Sequence, residues 1–423
     1  MGNDIREKKD KSKAKTKKET LGKWKEVKMK FKYLYMVLVM VILVAFFTAE
    51  ARSEEKEIKI GFMTDLTGML SINGMPSREA AILAMEEIGQ KIAGIPVKLI
   101  IEDEASDPAI TMDRARKLVE TDKVCMILGP FHGGCAAAVS EYVVRTQTPQ
   151  LLTWYSITND AQAKTTWTWV PWGTNNALPY SAGVFAAEKL GYKTATTMAI
   201  DYAAGRGLLG GFVTAFTERG GKVIQDQWIP LGSKDIAPYI TVLKEADVLV
   251  PWFAGVTATV GIKQIRDFKV KMPVVFPQCQ ALAHPRQIKE IGDDILGMIA
   301  AEAYVSSIDT PKNKKFVEAY RKRWGDVPSG AAGGAYIAMQ IAFEALKKTG
   351  GDTSAKALAK ALDNTNLEGF LGTFRFGDAR VGIGNYVILK AIKVGNEYGT
   401  EVLANYSIKT DKVGNKLVQS LVK

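Results

Sequence analysis

Cysteine and histidine are scarce in this chain: three of one (Cys125, Cys135, Cys279) and two of the other (His132, His284) among 423 residues. Three widely spaced cysteines cannot build a disulfide scaffold, and neither they nor the histidines fall into metal-ligand spacing. All three are expected as free thiols, with Cys125 in the middle of a buried strand and Cys135 at the start of the next helix, an awkward pair to bridge. H-E-x-x-H, G-x-S-x-G and Walker-type loops are also absent, which removes the commonest hydrolase and nucleotide signatures. Gly205, Gly207 and Gly210 do match G-x-G-x-x-G, but no acidic residue ends the following strand in the ribose-binding manner. No catalytic residue, cofactor or metal is therefore assigned.

A basic stripe is missing too. The net charge is +11, yet residues 1–51 hold thirteen Lys and Arg against six Asp and Glu, leaving only +4 for the rest of the chain. Beyond that segment no Lys/Arg-dense stretch carries interleaved aromatics, so the footprint of a nucleic-acid binder is lacking. What is present is an ordinary globular composition, 47% hydrophobic, 24% charged and 9% aromatic. The length exceeds what one hydrophobic core supports, and two domains are expected.

Residues 33–47 form an apolar run, short of the roughly 20 residues that span a bilayer. Lys30 and Lys32 precede it and Ala49-Glu50-Ala51 follows as an A-x-A cleavage signal, so residues 1–51 read as an export signal with a mature start near Arg52. No cysteine follows the run to take a lipid. The charged stretch ahead of the run is unusually long, and initiation at Met29 would leave an ordinary signal peptide. An uncleaved anchor with a basic tail is the alternative.

From residue 57 onward, short apolar runs alternate with amphipathic stretches, the pattern of parallel sheets wrapped by crossover helices. The first series reads as strand 58–63, loop 65–76, helix 78–88 capped by Ser77, and strand 97–101. It continues with a helix from Asp107-Pro108 to Glu120, strand 124–128, helix 135–145 and strand 149–154. A second series follows a junction at 172–177: helix 178–190, strand 194–200, helix 208–219, strand 222–228, strand 248–252, helix 256–268 and strand 273–276. Helices over 314–324 and 331–348 come last. The fold class is α/β, two Rossmann-like lobes with parallel-type central sheets.

Ligands of open parallel sheets bind at the carboxyl ends of the strands. The loop 65–76 offers Thr67, Gly68, Ser71, Asn73 and Gly74, whose backbone N–H groups could hold a polar group; Leu70 lies among them. The turn 129–134 delivers a helix N-terminus, with His132, Gly133 and Gly134 placed to meet an anion. Trp154, Tyr155 and Ser156 end the fourth strand, and Tyr202 and Trp252-Phe253 hold equivalent positions in the second series. Each ring alone is as easily core packing; together they suggest an aromatic-lined cleft.

Several motifs then stand in a familiar order: Lys59-Ile60-Gly61, Leu66-Thr67-Gly68 and Gly74, Glu102-Asp103 with Asp107-Pro108, Lys117-Leu118-Val119, and Ile127-Leu128-Gly129-Pro130. From about residue 57 to its end the chain resembles the branched-chain amino acid type of ABC-transporter binding protein, a type I periplasmic binding fold. The resemblance implies two lobes joined by a three-segment hinge, 57–173 plus 305–380 and 174–304 plus 381–423, closing on a small molecule. It also implies a periplasmic protein whose partners are an ABC permease and ATPase, touching the membrane only through them. A sensor of the same fold feeding a signalling partner is the alternative reading.

Three departures bear on the ligand. Asp201, Gly205 and Gly207 match a family segment, but Ala204 stands where a Tyr is usual and Tyr202 neighbours it. The family's carboxylate-gripping Ser after Gly-Pro is replaced by His132, Gly133 and Gly134. The loop after strand 273–276 reads Pro277-Gln278-Cys279-Gln280, with Gln278 and Gln280 where an acidic partner for an α-amine is usual. Burying an unpaired ammonium costs several kcal/mol, so the expected ligand is an apolar or aromatic acid, with a branched-chain amino acid as the other option. The processing expectation is tested by N-terminal sequencing of secreted protein: a start near Arg52 is expected, and a mature chain that retains Phe31 contradicts it.

Overall fold

The computed structural model describes residues 57–422 apart from Val256 and Gly414, together with Lys17, Trp24, Lys25 and residues 28–40. Residues 28–40 are helical; the end of the apolar run and the A-x-A site lie outside the described residues. No helix among the described residues is long and apolar enough to cross a membrane.

The first half of the compact unit is built on β1 (Ile58–Thr64), whose Ile58, Ile60, Phe62 and Met63 are wholly buried. Burial on both faces is what a central parallel strand requires. It pairs in parallel with β3 (Ile95–Asp103) on one side and β4 (Met126–Leu128) on the other. β2 (Lys91–Ile92) forms an antiparallel edge, and β5 (Gln150–Leu151) and β6 (Thr168–Trp169) extend the sheet in the order β2-β3-β1-β4-β5-β6. The helix α1 (Ser71–Glu87) follows β1, α2 (Pro108–Arg116) follows β3 and α3 (Gly133–Thr146) follows β4. Asp107 caps α2 as its sequence demands, its carboxylate accepting from Ala109 N at 2.7 Å and Ile110 N at 3.0 Å.

Past α4 (Asn159–Gln162) and α5 (Ala177–Glu188), a second sheet begins with β7 (Thr194–Asp201), α6 (Ala203–Glu218), β8 (Lys222–Pro230), α7 (Ala237–Ile240) and β9 (Val248–Trp252). The three strands are parallel in the order β8-β7-β9. After α8 (Thr257–Asp267), a single bridge from Leu249 to Val274 leads to β10 (Val275–Phe276), which pairs in parallel with β11 (Ile299–Glu302). Short helices α9 (Gln280–Ala283) and α10 (Pro285–Ile291) lie between those strands. From β11 onward the sheet turns antiparallel through β14 (Gly384–Val394), β15 (Glu397–Val413) and β16 (Lys416–Leu421). The second sheet is thus mixed, not parallel throughout. Helices α11 (Pro311–Trp324), α12 (Gly330–Lys348) and α13 (Ala355–Asp363) and the hairpin of β12 (Leu367–Gly369) and β13 (Gly372–Phe374) sit between β11 and β14.

Three expectations need correction. α1 starts at Ser71 and contains Pro76, so the loop before it ends at Leu70 and Ser77 is no cap; its hydroxyl donates to Asn73 O at 3.0 Å and Ala331 O at 3.2 Å. The early start follows from Asp65, whose carboxylate accepts Gly68 N at 2.5 Å and Leu70 N at 2.9 Å and turns the chain into the helix. Cys125 stands just ahead of β4, its N–H donating to Lys59 O at 2.8 Å. Gly205, Gly207 and Gly210 lie inside α6, where a Cβ would meet Ile200 O at 2.0 Å and Asn175 Cβ at 2.9 Å at the first two and nothing closer than 3.8 Å at the third. The first two let the helix approach its neighbours closely, so the G-x-G-x-x-G match falls within a packed helix.

The tightest approach in the fold is at Gly74, where a Cβ would sit 1.6 Å from the Asp65 carbonyl oxygen. Gly74→Ala is expected to move α1 off the strand end and to cost at least about 2 kcal/mol, within the range of overpacked cores; urea denaturation measures it.

Candidate functional site

A cleft with about 420 Å³ of atom-free space, counting its open mouth, lies where the carboxyl ends of strands from both sheets converge. Its walls come from successive strand-end loops: Leu70 after β1, Phe131 and Gly133 after β4, Trp154, Tyr155 and Ser156 after β5, and Asn175 after β6. From the second sheet come Tyr202 and Ala204 after β7, Trp252, Ala254 and Gly255 after β9, and Gln278 and Gln280 after β10. Leu208 of α6 completes the lining. No lining residue carries a formal charge.

Buried carboxyl groups hold these loops in place. Glu104, just past β3 and fully buried, accepts from Phe131 N at 2.8 Å and His132 N at 2.7 Å, so it fixes the turn that starts α3. Burial, with Asp65 and Asp103 close by, pushes its pKa up to about 8 against the pull of those two N–H groups. Ser156 Oγ donates to Phe131 O at 2.5 Å and ties the β5 loop to the same turn. Opposite, Glu302 at the end of β11 accepts from Gln278 Nε2 at 2.6 Å and Cys279 N at 3.1 Å, while Trp252 Nε1 donates to Gln278 Oε1 at 3.0 Å.

The rings form two groups, one from each side of the cleft. Trp154 stacks on Phe131 at 5.8 Å, tilts against Tyr155 at 4.4 Å, and Tyr202 tilts against Trp252 at 5.7 Å. Gly330 and Gly334 of α12 make room for the Trp154 indole, since a Cβ at either would come within 2.9 and 2.8 Å of it. Trp154 Nε1 and the Tyr155 hydroxyl are buried and have no partner of full hydrogen-bond geometry, although they lie close to each other and Gln278 lies close to the hydroxyl. Burial drives the Tyr155 and Tyr202 hydroxyls well above the usual phenol range, so both stay protonated.

Of the residues expected from sequence, Leu70, Gly133, Trp154, Tyr155, Ser156, Tyr202, Gln278 and Gln280 line this cleft. His132, Gly134 and Phe253 do not. The His132 ring stacks parallel to Tyr202 at 6.4 Å behind the lining. Gly134 faces His132 and Pro108, and Phe253 packs against Phe276 and Gly261 in the lobe interior. In loop 65–70 the amides of Leu66, Gly68 and Leu70 already donate to Asp103 and Asp65, which leaves them nothing to offer a ligand. Asp201 pairs with Arg206 at 2.7 Å on the surface. Phe131, Asn175, Ala204, Leu208, Ala254 and Gly255 went unread because their elements are too short or too apolar to show a site. Glu302 went unread because only folding brings β11 beneath Gln278. Among the described residues no cluster of His, Cys, Asp and Glu could hold a metal ion.

Two contacts join the sides across the mouth. Asn73 Nδ2 donates to Gln280 Oε1 at 3.0 Å, and His284 Nε2 lies 3.3 Å from Ile72 O. Pro76 has no N–H to give the Ile72 carbonyl four residues back, and the imidazole fills that place. His284 Nδ1 accepts from Arg286 N at 3.3 Å, which puts the ring proton on Nε2.

This architecture defines a two-lobed ligand binder. The chain belongs to the periplasmic binding protein family, whose model matches residues 57–396. It is 24% identical over 327 residues to a Leu/Ile/Val-binding protein homolog 6 of Brucella suis, covering 75% of this chain and 83% of that one. Its structure is similar to an ABC transporter substrate-binding protein from Sphaerobacter thermophilus (27% identity, TM-score 0.77, covering 83% of this chain and 98% of that one). It is also similar to a solute-binding protein of an ABC transporter from Rhodopseudomonas palustris in complex with 3,4-dihydroxybenzoic acid (26% identity, TM-score 0.76, 83% and 97% covered). The fold is the type I periplasmic binding fold of the branched-chain amino acid group, and the chain is a solute-binding protein.

Burial holds the His284 imidazole below its ordinary value of 6.5, against the raising effect of the Ile72 contact. The unfolded chain then binds a proton that the folded one refuses, so the ring's own contribution to stability is full above pH 6.5 and falls below it. Glu104 and Glu302, held neutral in the fold, act in the opposite sense over this range, so the reading is a difference: the urea midpoint of the wild type minus that of His284→Asn is expected to shrink from pH 7.5 to 5. Equal slopes would show that the ring does not titrate on unfolding.

Proposed function

We propose that this protein is the exported receptor of an ABC importer and that its ligand is a small aromatic or apolar carboxylic acid. The supporting observation is the cleft lining: aromatic walls, no formal charge, and two buried polar groups, Trp154 Nε1 and the Tyr155 hydroxyl, that no protein group meets at full hydrogen-bond geometry. An organic acid brings acceptors and an apolar body to such a site. Gly133 at the first turn of α3 adds N–H groups that have no intrahelical acceptor. The relative from Rhodopseudomonas palustris, with 3,4-dihydroxybenzoic acid bound, fits the same chemistry.

In this reading the lobes, 57–173 with 305–380 and 174–304 with 381–423, hinge about their three connections. Only the closed form touches the ligand from both sides, so binding shifts the population toward it. A membrane permease and its ATPase read the closed shape. Trp154, Tyr155, Tyr202 and Trp252 hold the ring, Ser156, Gln278 and Gln280 orient the polar end, and no covalent step is involved. A branched-chain amino acid is the second reading, favoured by the name of the Brucella relative and by the buried Glu302 behind Gln278.

A thermal-shift screen of the chain from Arg52 onward separates them. At about a hundred times Kd an authentic ligand adds roughly 2.7 kcal/mol. Benzoate and its hydroxylated relatives are expected to raise Tm, with the shift lost in Trp154→Ala and reduced in Tyr155→Phe. A shift with leucine and none with the acids would replace this ligand class by the second reading.

A further inference from the structure

We propose that Glu302 is a specificity residue of the cleft: as a buried neutral carboxyl it fixes the Gln278 amide and admits an organic acid, and as an anion it repels one. The inference rests on the acid-binding reading above. Glu302 has no exposed surface and no cation among its contacts. One carboxyl oxygen takes both N–H donors of the Gln278 loop, and beyond these only the Ala303 N–H acts on the group, leaving the other oxygen without a full hydrogen bond. Gln278 is clamped at both ends of its amide, by Trp252 on the oxygen and Glu302 on the nitrogen, and it lines the cleft directly. A negative charge on Glu302 is therefore one side chain removed from the ligand, in a dry setting where like charges interact strongly.

The elements packed on β11 bring nothing to balance that charge. β10 and α9 carry no titratable group, and Glu302 faces Val387 across β14. The titratable groups of β14 and α5 are engaged elsewhere: Tyr386 with Trp172 O, Lys393 with Asp293, Tyr180 with Glu218 and Glu188 with Arg219. Lys390 sits at the far end of the pairing, opposite Ile299. The groups that Glu302 acts on electrostatically include Tyr155 and Cys279, both neutral. Burial raises the Glu302 pKa to about 8 against the pull of the Gln278, Cys279 and Ala303 N–H groups, so the acid-repelling form is reached just above neutrality. Glu104 is equally buried behind the opposite wall and is the necessary control.

The test is Kd for benzoate from pH 6 to 9.5, a range in which the probe's own carboxylate stays ionised, in the wild type, Glu302→Gln and Glu104→Gln. The wild type is expected to bind evenly up to about pH 7.5 and then to weaken by up to roughly tenfold per pH unit, the limit for one linked proton. Glu302→Gln keeps the amide contacts and cuts this rise in Kd, whereas Glu104→Gln, which removes only the carboxyl behind the opposite wall, leaves the Glu302 part of it. Identical profiles for wild type and Glu302→Gln, or a flat wild-type profile, overturn the inference alone. Should Glu302→Gln fail to fold, calorimetry of the wild type at pH 8.5 in two buffers of different ionisation enthalpy decides, with net proton uptake expected and none overturning it. Absence of benzoate binding at any pH, or leucine binding that Glu302→Gln abolishes, removes the acid-binding reading and this inference with it.

Discussion

Everything at the cleft depends on how the backbone N–H groups at the strand ends are satisfied away from water. Two sheets presenting their carboxyl ends to each other leave loops whose amides must find acceptors, and a buried orphan amide is costly. Four carboxyl groups answer this need. Asp65 gathers Gly68 and Leu70, Asp103 gathers Leu66 and Ala105, Glu104 gathers Phe131 and His132, and Glu302 gathers Cys279 and the Gln278 side chain. With the loops held this way, the lining can be neutral and aromatic without becoming shapeless. Acidic side chains thus build the site although none faces into it.

The same arrangement explains what could be read from the sequence. β1, β4 and β5 of the first sheet and β7 and β9 of the second are almost wholly buried, so their segments stand out between polar loops, and their strand-end rings follow directly. β15 is exposed or half-buried along nearly all of its 17 residues, whereas β14 is largely buried and pairs with β11 and β15. β15 offers no buried alternation that separates strand from loop, and the antiparallel half of the second sheet stayed unread. Pro76 misled the reading of α1 because a proline after Gly and Met looks like a boundary, whereas Asp65 starts the helix six residues earlier than Ser77.

The site was partly legible for a similar reason. Trp154, Tyr155 and Tyr202 stand immediately after strands and point to the cleft by position alone. Phe253 and Trp252 were indistinguishable until the pleat was known, and only Trp252 lines the cleft. His132 looked like a ligand group because it opens a helix, but its backbone serves Glu104 and its ring serves Tyr202. Glu302 is separated from Gln278 by 24 residues, and no spacing rule links a strand end to the loop of the preceding strand.

Pro76 has a further meaning once its place is known. A helix ordinarily keeps its hydrogen bonds to itself, but α1 lends one carbonyl, that of Ile72, to an imidazole on the facing side. In the proposed hinge motion that carbonyl would pass from the imidazole to water, which also satisfies it. The contact at Ile72 would then cost the helix little to release.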